Sequence, residues 1–83
     1  MKVYVITTEI IFDGDREDEL TRVFAKEADA FYCLNALKKE LHKNYVADGG
    51  WVEENSEHSY YAYLDGWSND NHATALMREI EVE

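Results

Sequence analysis

Only one stretch of the chain carries apolar residues at helical spacing, and stretches of alternating polar and apolar residues lie on both sides of it. Within this expected helix, residues 26–44, the apolar stripe consists of Ala30, Leu34, Leu37 and Leu41. A lone helix must bury its stripe on another element, and the apolar face of a sheet is the available partner. The sequence therefore predicts an α+β fold, in which an antiparallel sheet of four to five strands, in ββαββ order, packs one helix on one face.

The expected strands are residues 3–12, 20–25, 51–53, 58–65 and 73–82. In the first strand, one face carries Tyr4, Ile6, Ile10 and Phe12, with Thr8 among them. We expect Leu34, Leu37 and Leu41 of the helix to be buried against this face. In the last strand, Thr74, Leu76, Ile80 and Val82 share a face that Arg78 interrupts. The opposite face of the sheet is expected to stay partly exposed, as antiparallel sheets allow.

The acidic stretch at residues 13–19 is expected to be a solvated loop between the first two strands. Asp13-Gly14 is a turn signal, and the acids that follow it have no apolar partners to bury. Glycine follows the first acid directly, which does not fit the spacing of a calcium-binding loop. A second break is expected at Gly49-Gly50, where the helix ends.

Length and composition indicate one folded domain covering residues 1–83. The hydrophobic content of 46% and the aromatic content of 13% are too high for a disordered acidic chain. Cys33 is the only cysteine and has no partner for an internal disulfide, which favours a cytoplasmic location. We expect neither a secretory signal nor a membrane span, because no apolar run approaches the ~20 residues that a span needs.

The strongest global feature is charge: 18 acidic residues against eight basic ones give a net charge of −10. Such a domain repels phosphate groups, so direct nucleic-acid binding is not expected. It attracts basic protein surfaces and associates with them rapidly at low salt. The acids belong to the strands and loops, whereas residues 20–47 carry five basic and three acidic side chains.

No pattern in the sequence indicates catalysis, a cofactor or a metal. His42, His58 and His72 share no metal-ligand spacing, and Cys33 lies beside the apolar stripe, which is typical of a buried structural thiol. The four glycines match neither of the phosphate-binding loop patterns. We therefore predict a non-enzymatic protein.

The predicted contact surface lies where aromatic and acidic residues are both dense. Tyr61 and Tyr63 alternate with Tyr60 along a strand, so one set must face away from the core. Tyr and Trp are enriched at the energetic centres of interfaces. The predicted partner-binding residues are Trp51, Glu53, Glu54, Glu57, Tyr61, Tyr63, Asp65, Trp67 and Asp70. The alternative is that the aromatics pack under the loops and the acids serve solubility alone.

The order of elements in residues 2–28 is a Lys-Val-Tyr strand, an Asp-Gly loop, a Val-Phe strand and a helix opening Lys-Glu-Ala. This order resembles small acidic accessory proteins of phages and mobile elements, including anti-CRISPR and other anti-defence proteins. The resemblance implies an inhibitor that occupies the basic surface of a nucleic-acid-binding effector, such as a CRISPR nuclease. Such an inhibitor is expected to be a monomer or a homodimer. The second hypothesis is a structural or accessory protein that self-assembles through its exposed sheet face or edge strand.

These patterns predict that the protein binds no stoichiometric metal ion. Thermal unfolding is expected to show the same midpoint with and without micromolar calcium or zinc, because the acids at residues 13–19 lack ligand spacing. A large rise in the midpoint with either ion would contradict this expectation.

Overall fold

The computed structural model describes all of residues 1–83. A five-stranded antiparallel sheet carries one helix on one of its faces, as the sequence predicts. The strands have the spatial order β2-β1-β5-β4-β3, so the last strand of the chain lies at the centre of the sheet. The elements are β1 (Lys2–Phe12), β2 (Asp15–Phe24), α1 (Glu27–Leu41), β3 (Val52–Asn55), β4 (Ser59–Tyr63) and β5 (His72–Glu81).

The first hairpin closes through a two-residue turn at Asp13-Gly14, and residues 13–19 are all exposed, both as expected. The expectation that residues 15–19 form a loop is wrong, because they belong to β2. Asp13 and Gly14 both have positive φ, at 51° and 83°, which suits the right-handed twist of the paired strands. Strand β2 starts at once, with Asp15 opposite Phe12. Glu17 is the extra residue of a bulge, because Ile10 pairs with Asp18 and Ile11 with Arg16. The acids can occupy a strand because an edge strand is held by backbone pairing and leaves them exposed.

Helix α1 begins with acids and ends with bases, which complements its dipole: Glu27 and Asp29 lie in the first turn, Lys38 and Lys39 in the last. The helical backbone continues as a wider π-helical turn from His42 to Ala47, three residues beyond the expected end. Gly49 then passes so close to this turn that a Cβ atom there would lie 2.6 Å from the Tyr45 carbonyl oxygen. Neither helical segment has the length and apolar character needed to cross a membrane.

The core lies between α1 and the middle of the sheet. The side chains of Ala30, Leu34 and Leu41 come from the helix, and Ile6 comes from β1. Beneath the helix, β4 and β5 contribute the small side chains of Ala62, Ala73 and Ala75, together with the larger side chains of Tyr60 and Met77. Small residues allow the helix to approach the sheet closely. The apolar face that the sequence indicates in β5, with Leu76 and Ile80, is therefore the face away from the helix.

The expected packing of the stripe is confirmed for two leucines and only partly for the third. Leu34 is fully buried and Leu41 nearly so, but Leu37 is half-buried because it lies at the β2 side of the helix. Phe12 also departs from the expectation, since it remains 43% exposed at the end of β1. Its ring stacks on Trp51, with the ring centroids 6.3 Å apart.

The difference between these leucines gives a stability prediction. Leu34→Ala should lower the free energy of unfolding by about 2–5 kcal/mol, because the cavity it leaves is enclosed on all sides. Leu37→Ala should cost about 1–2 kcal/mol, since solvent already reaches that side chain. Urea unfolding of both variants measures the difference, and equal losses would show that the two positions are packed alike.

Candidate protein-binding surface

The face of the sheet opposite α1 has no covering element, and we call it the open face. On β1, β2 and β5 this face carries the apolar side chains of Val3, Val5, Val23, Leu76 and Ile80, with Arg78 between the last two. Val23 and Ile80 are among the large apolar side chains that remain exposed. Adjacent exposed apolar side chains on one face are typical of an interaction surface.

Two tyrosines extend the open face toward β3. The rings of Tyr61 and Tyr63 stack with their centroids 5.1 Å apart, and both residues are half-buried. His72 of β5 lies against Tyr61 at a centroid distance of 6.0 Å. On the other side, β3 places Glu54 opposite Tyr61 and Val52 opposite Tyr63. The structure thus brings together three of the predicted contact residues, namely Glu54, Tyr61 and Tyr63.

Hydrogen bonds and ion pairs hold the open face in register across three strands. The His72 ring donates from Nδ1 to the Ser68 carbonyl oxygen at 2.8 Å, and its Nε2 lies 3.3 Å from Glu9 Oε1. Arg16 lies 3.4 Å from the Glu9 carboxylate and 3.0 Å from that of Glu19. On the open face, the Arg16 guanidinium is thus paired with two carboxylates, within a chain whose net charge is −10.

Trp51 is buried, so its predicted role as an exposed partner contact is wrong. Only 6% of its surface is accessible, and its ring stacks on Tyr45 at 4.6 Å as well as on Phe12. Its backbone N–H donates to the Tyr45 carbonyl oxygen at 2.9 Å. The turn at Gly49-Gly50 reverses the chain so that Trp51 meets the π-helical turn. This aromatic stack closes the core at the end of the sheet.

Glu53 lies on the helix side of the sheet, where it serves a buried hydroxyl. The Tyr60 hydroxyl donates to Glu53 Oε2 at 2.5 Å, and His42 Nδ1 donates to the same oxygen at 2.9 Å. The hydrogen bond from Tyr60, followed by that from His42, lowers the pKa of Glu53 below its ordinary value. Burial, followed by the Glu53 carboxylate, raises the pKa of Tyr60. The carboxylate therefore satisfies the one polar atom of a buried tyrosine side chain.

The remaining predicted contact residues lie at the two ends of β4. Glu57 is exposed in the turn before the strand, whereas Asp65, Trp67 and Asp70 are exposed in the loop after it. Trp67 is 66% exposed and has no core contact that would explain a tryptophan there. Glu57 therefore lies at the opposite end of β4 from Asp65, Trp67 and Asp70.

Asn71 holds the loop after β4 in place, and sequence reasoning did not single it out. This buried side chain accepts the Asp13 N–H at 3.0 Å and lies 3.4 Å from the Trp67 carbonyl oxygen. The Gly14 N–H donates to the Asp70 carbonyl oxygen at 2.9 Å. The loop that carries Trp67 is thus fastened to the first hairpin turn. A lone asparagine in a polar loop carries no sequence signal of burial.

Comparison of the chain with protein-family models, with curated proteins and with solved structures found no match. No group of three or more His, Cys, Asp or Glu side chains is arranged to hold a metal ion. The open face therefore provides apolar and aromatic area that a partner could bury, with carboxylates around it.

The position of Glu53 generates a prediction about pH. Since the folded-state pKa of Glu53 lies below its ordinary value of 4.5, its ionised form stabilises the fold above that pH. The contribution is lost as the pH falls through the depressed folded-state pKa. Glu53→Gln should therefore reduce the free energy of unfolding at pH 7 and have a smaller effect at about pH 3.

Chemical unfolding at several pH values measures this difference. Glu54→Gln is the matched control, because Glu54 lies next in the chain, is exposed and has no hydrogen-bond partner. The control should unfold like the unmodified protein at both pH values. A pH-independent effect of Glu53→Gln would show that its loss acts through packing rather than through ionisation.

Proposed function

We propose that this protein is a non-enzymatic binding module that docks on a basic protein surface through the open face and the Trp67 loop. The observation that carries the proposal is the stacked pair Tyr61–Tyr63, half-buried on a sheet face that no other element covers. Stacking fixes both rings before binding, so little conformational freedom is lost when a partner covers them.

Aromatic side chains supply the affinity in this proposal. Exposed ion pairs contribute roughly 0–1 kcal/mol each, whereas an aromatic residue at the centre of an interface can contribute about 2 kcal/mol or more. Trp67, held out on its loop, adds a third exposed ring at the end of the same strand. The apolar side chains of β1 and β5 provide the surrounding area from which water is excluded.

The net charge of −10 favours a partner that has a basic surface. Carboxylates at Glu54, Glu57, Asp65 and Asp70 lie at or beyond the edge of the aromatic surface, where a basic rim on the partner would meet them. The sharpest form of the proposal is an inhibitor of phage type, which occupies the surface that an effector such as a CRISPR nuclease uses for nucleic acid.

Self-assembly through the open face is the second candidate function. It is favoured by the apolar side chains at the centre of that face, including Val5, Leu76 and Ile80. Analytical ultracentrifugation of the protein alone separates the two candidates. A monomer at tens of micromolar supports docking on a different protein, whereas a dimer that dissociates in Leu76→Lys supports self-assembly.

The docking proposal predicts which aromatic residues matter. With a partner isolated by affinity capture from the native host, Tyr61→Ala and Trp67→Ala should each speed dissociation by roughly tenfold or more. Tyr32→Ala is the control, because Tyr32 is an exposed ring on the helix, away from the open face. Surface plasmon resonance measures these rates. Weakening by Tyr32→Ala alone would place the contact on the other side of the molecule.

The same partner should respond to charge reversal at the edge of the open face. Replacing Glu54, Glu57 and Asp65 with Lys should slow association and flatten its salt dependence, because these carboxylates steer the encounter. Glu53 is left unchanged in this variant, because replacing it would remove the hydrogen-bond acceptor of the Tyr60 hydroxyl. Replacing Glu27, Glu40 and Asp48 with Lys changes the net charge equally at a distance and serves as the control. Equal slowing by both variants would show that only total charge matters.

A further inference from the structure

The outer edge of β2 is a long strand edge with no neighbour. β2 has ten residues and pairs only with β1, so alternate backbone N–H and C=O groups along it point away from the sheet. The other edge strand, β3, has only four residues. No residue of β2 is fully buried.

A groove runs along the helix side of this edge. Two cavities, of about 420 and 170 Å³, lie between β2 and α1 and share Arg22, Leu37 and Glu40 as lining residues. Phe24 lines the larger cavity and Leu20 the smaller, so the strand supplies an apolar side chain to each. The groove is open because the helix packs chiefly on β1 and β5. Over β2, Arg22 lines both cavities and crosses to the helix, with Nη1 donating to Cys33 Sγ at 3.8 Å.

We propose that this groove binds an extended segment of a partner protein, which adds to β2 as a sixth strand. Its backbone would pair with the free groups of the edge, and alternate side chains would enter the groove between β2 and α1. Edge strands that flank a helix-lined groove provide both parts of this recognition: hydrogen bonds for affinity and pockets for selectivity. The site lies across the sheet from the open face and requires none of its residues.

The lining of the groove specifies the segment. Leu20, Phe24 and Leu37 favour apolar side chains at every second position. Asp18, Asp29 and Glu40 outnumber the single guanidinium of Arg22, so the groove favours a segment that also carries lysine or arginine. A second copy of this chain is a poor occupant, because each copy carries −10 and four of the first five residues of β2 are acidic.

The probe is an acetylated and amidated heptapeptide that alternates lysine and valine. A peptide of the same composition with its three valines contiguous is the first control, because it has equal charge but cannot place alternate apolar side chains in the groove. A third peptide has the alternating sequence with N-methyl groups on every second amide, which removes backbone donors. Binding is followed by NMR with isotope-labelled protein.

The alternating peptide should shift the amide resonances of β2 and of the facing side of α1, and both control peptides should bind at least roughly tenfold more weakly. In the protein, Ala36→Phe should weaken binding by a similar factor, because Ala36 lines the larger cavity and a ring there fills it. Ala28→Phe is the matched helix control, since Ala28 is exposed and lines no cavity. Tyr61→Ala should leave peptide binding unchanged.

Three results would overturn the proposal. Equal binding of the alternating and contiguous peptides would show that the interaction depends on charge alone. Shifts confined to the open face would place the site there. Absence of binding at millimolar peptide would show that the edge does not accept such a segment.

Discussion

One helix cannot cover one face of a five-stranded sheet, and most of this structure follows from that mismatch. A helix with its side chains is about 10 Å wide, whereas five strands spaced ~4.8 Å apart span about 19 Å between the outer strands. Helix α1 lies over the middle of the sheet, where the small side chains of Ala62, Ala73 and Ala75 let it approach. The helix therefore leaves two regions uncovered: the outer strands on its own side of the sheet, and the whole of the opposite face.

The two outer strands are treated differently. Over β3, the chain fills much of the space itself: the π-helical turn brings Tyr45 onto Trp51, and Glu53 accepts a hydrogen bond from the hydroxyl of Tyr60. A cavity of about 240 Å³ remains beside Glu53 and His42. Over β2, Phe24, Leu37 and Arg22 line a larger cavity of about 420 Å³. The β3 side is thus the more closely packed of the two, and the Glu53 cluster lies at the edge of the core, with Tyr60 buried and Glu53 and His42 exposed.

Features that follow from the periodicity of apolar residues were predicted correctly from the sequence. Features that depend on where the chain reverses direction were missed. The helical stripe at Leu34 and Leu41 was sufficient to predict the fold class, because few arrangements bury one stripe and several strands. Residues 15–19 were misassigned to a loop because an edge strand needs no apolar alternation. Trp51 was placed on the surface because its burial depends on Gly49 passing close to the backbone of Tyr45, a contact that no local pattern encodes. Tyr61 and Tyr63 were correctly given a common face, since strand alternation determines it.

The central position of β5 has a consequence for how the molecule folds. Lys2 pairs with Glu81, so the middle of the sheet joins the parts of this sequence that are farthest apart. The hairpin β1–β2 and the consecutive strands β3, β4 and β5 pair locally and can form early, but these two parts of the sheet meet only when β5 pairs with β1. This long-range pairing raises the contact order, and the chain between β1 and β5 must close into a loop before their contacts can stabilise the fold. We therefore expect slow, strongly cooperative folding, in which loss of the last strand divides the sheet into two separate hairpins instead of fraying one edge.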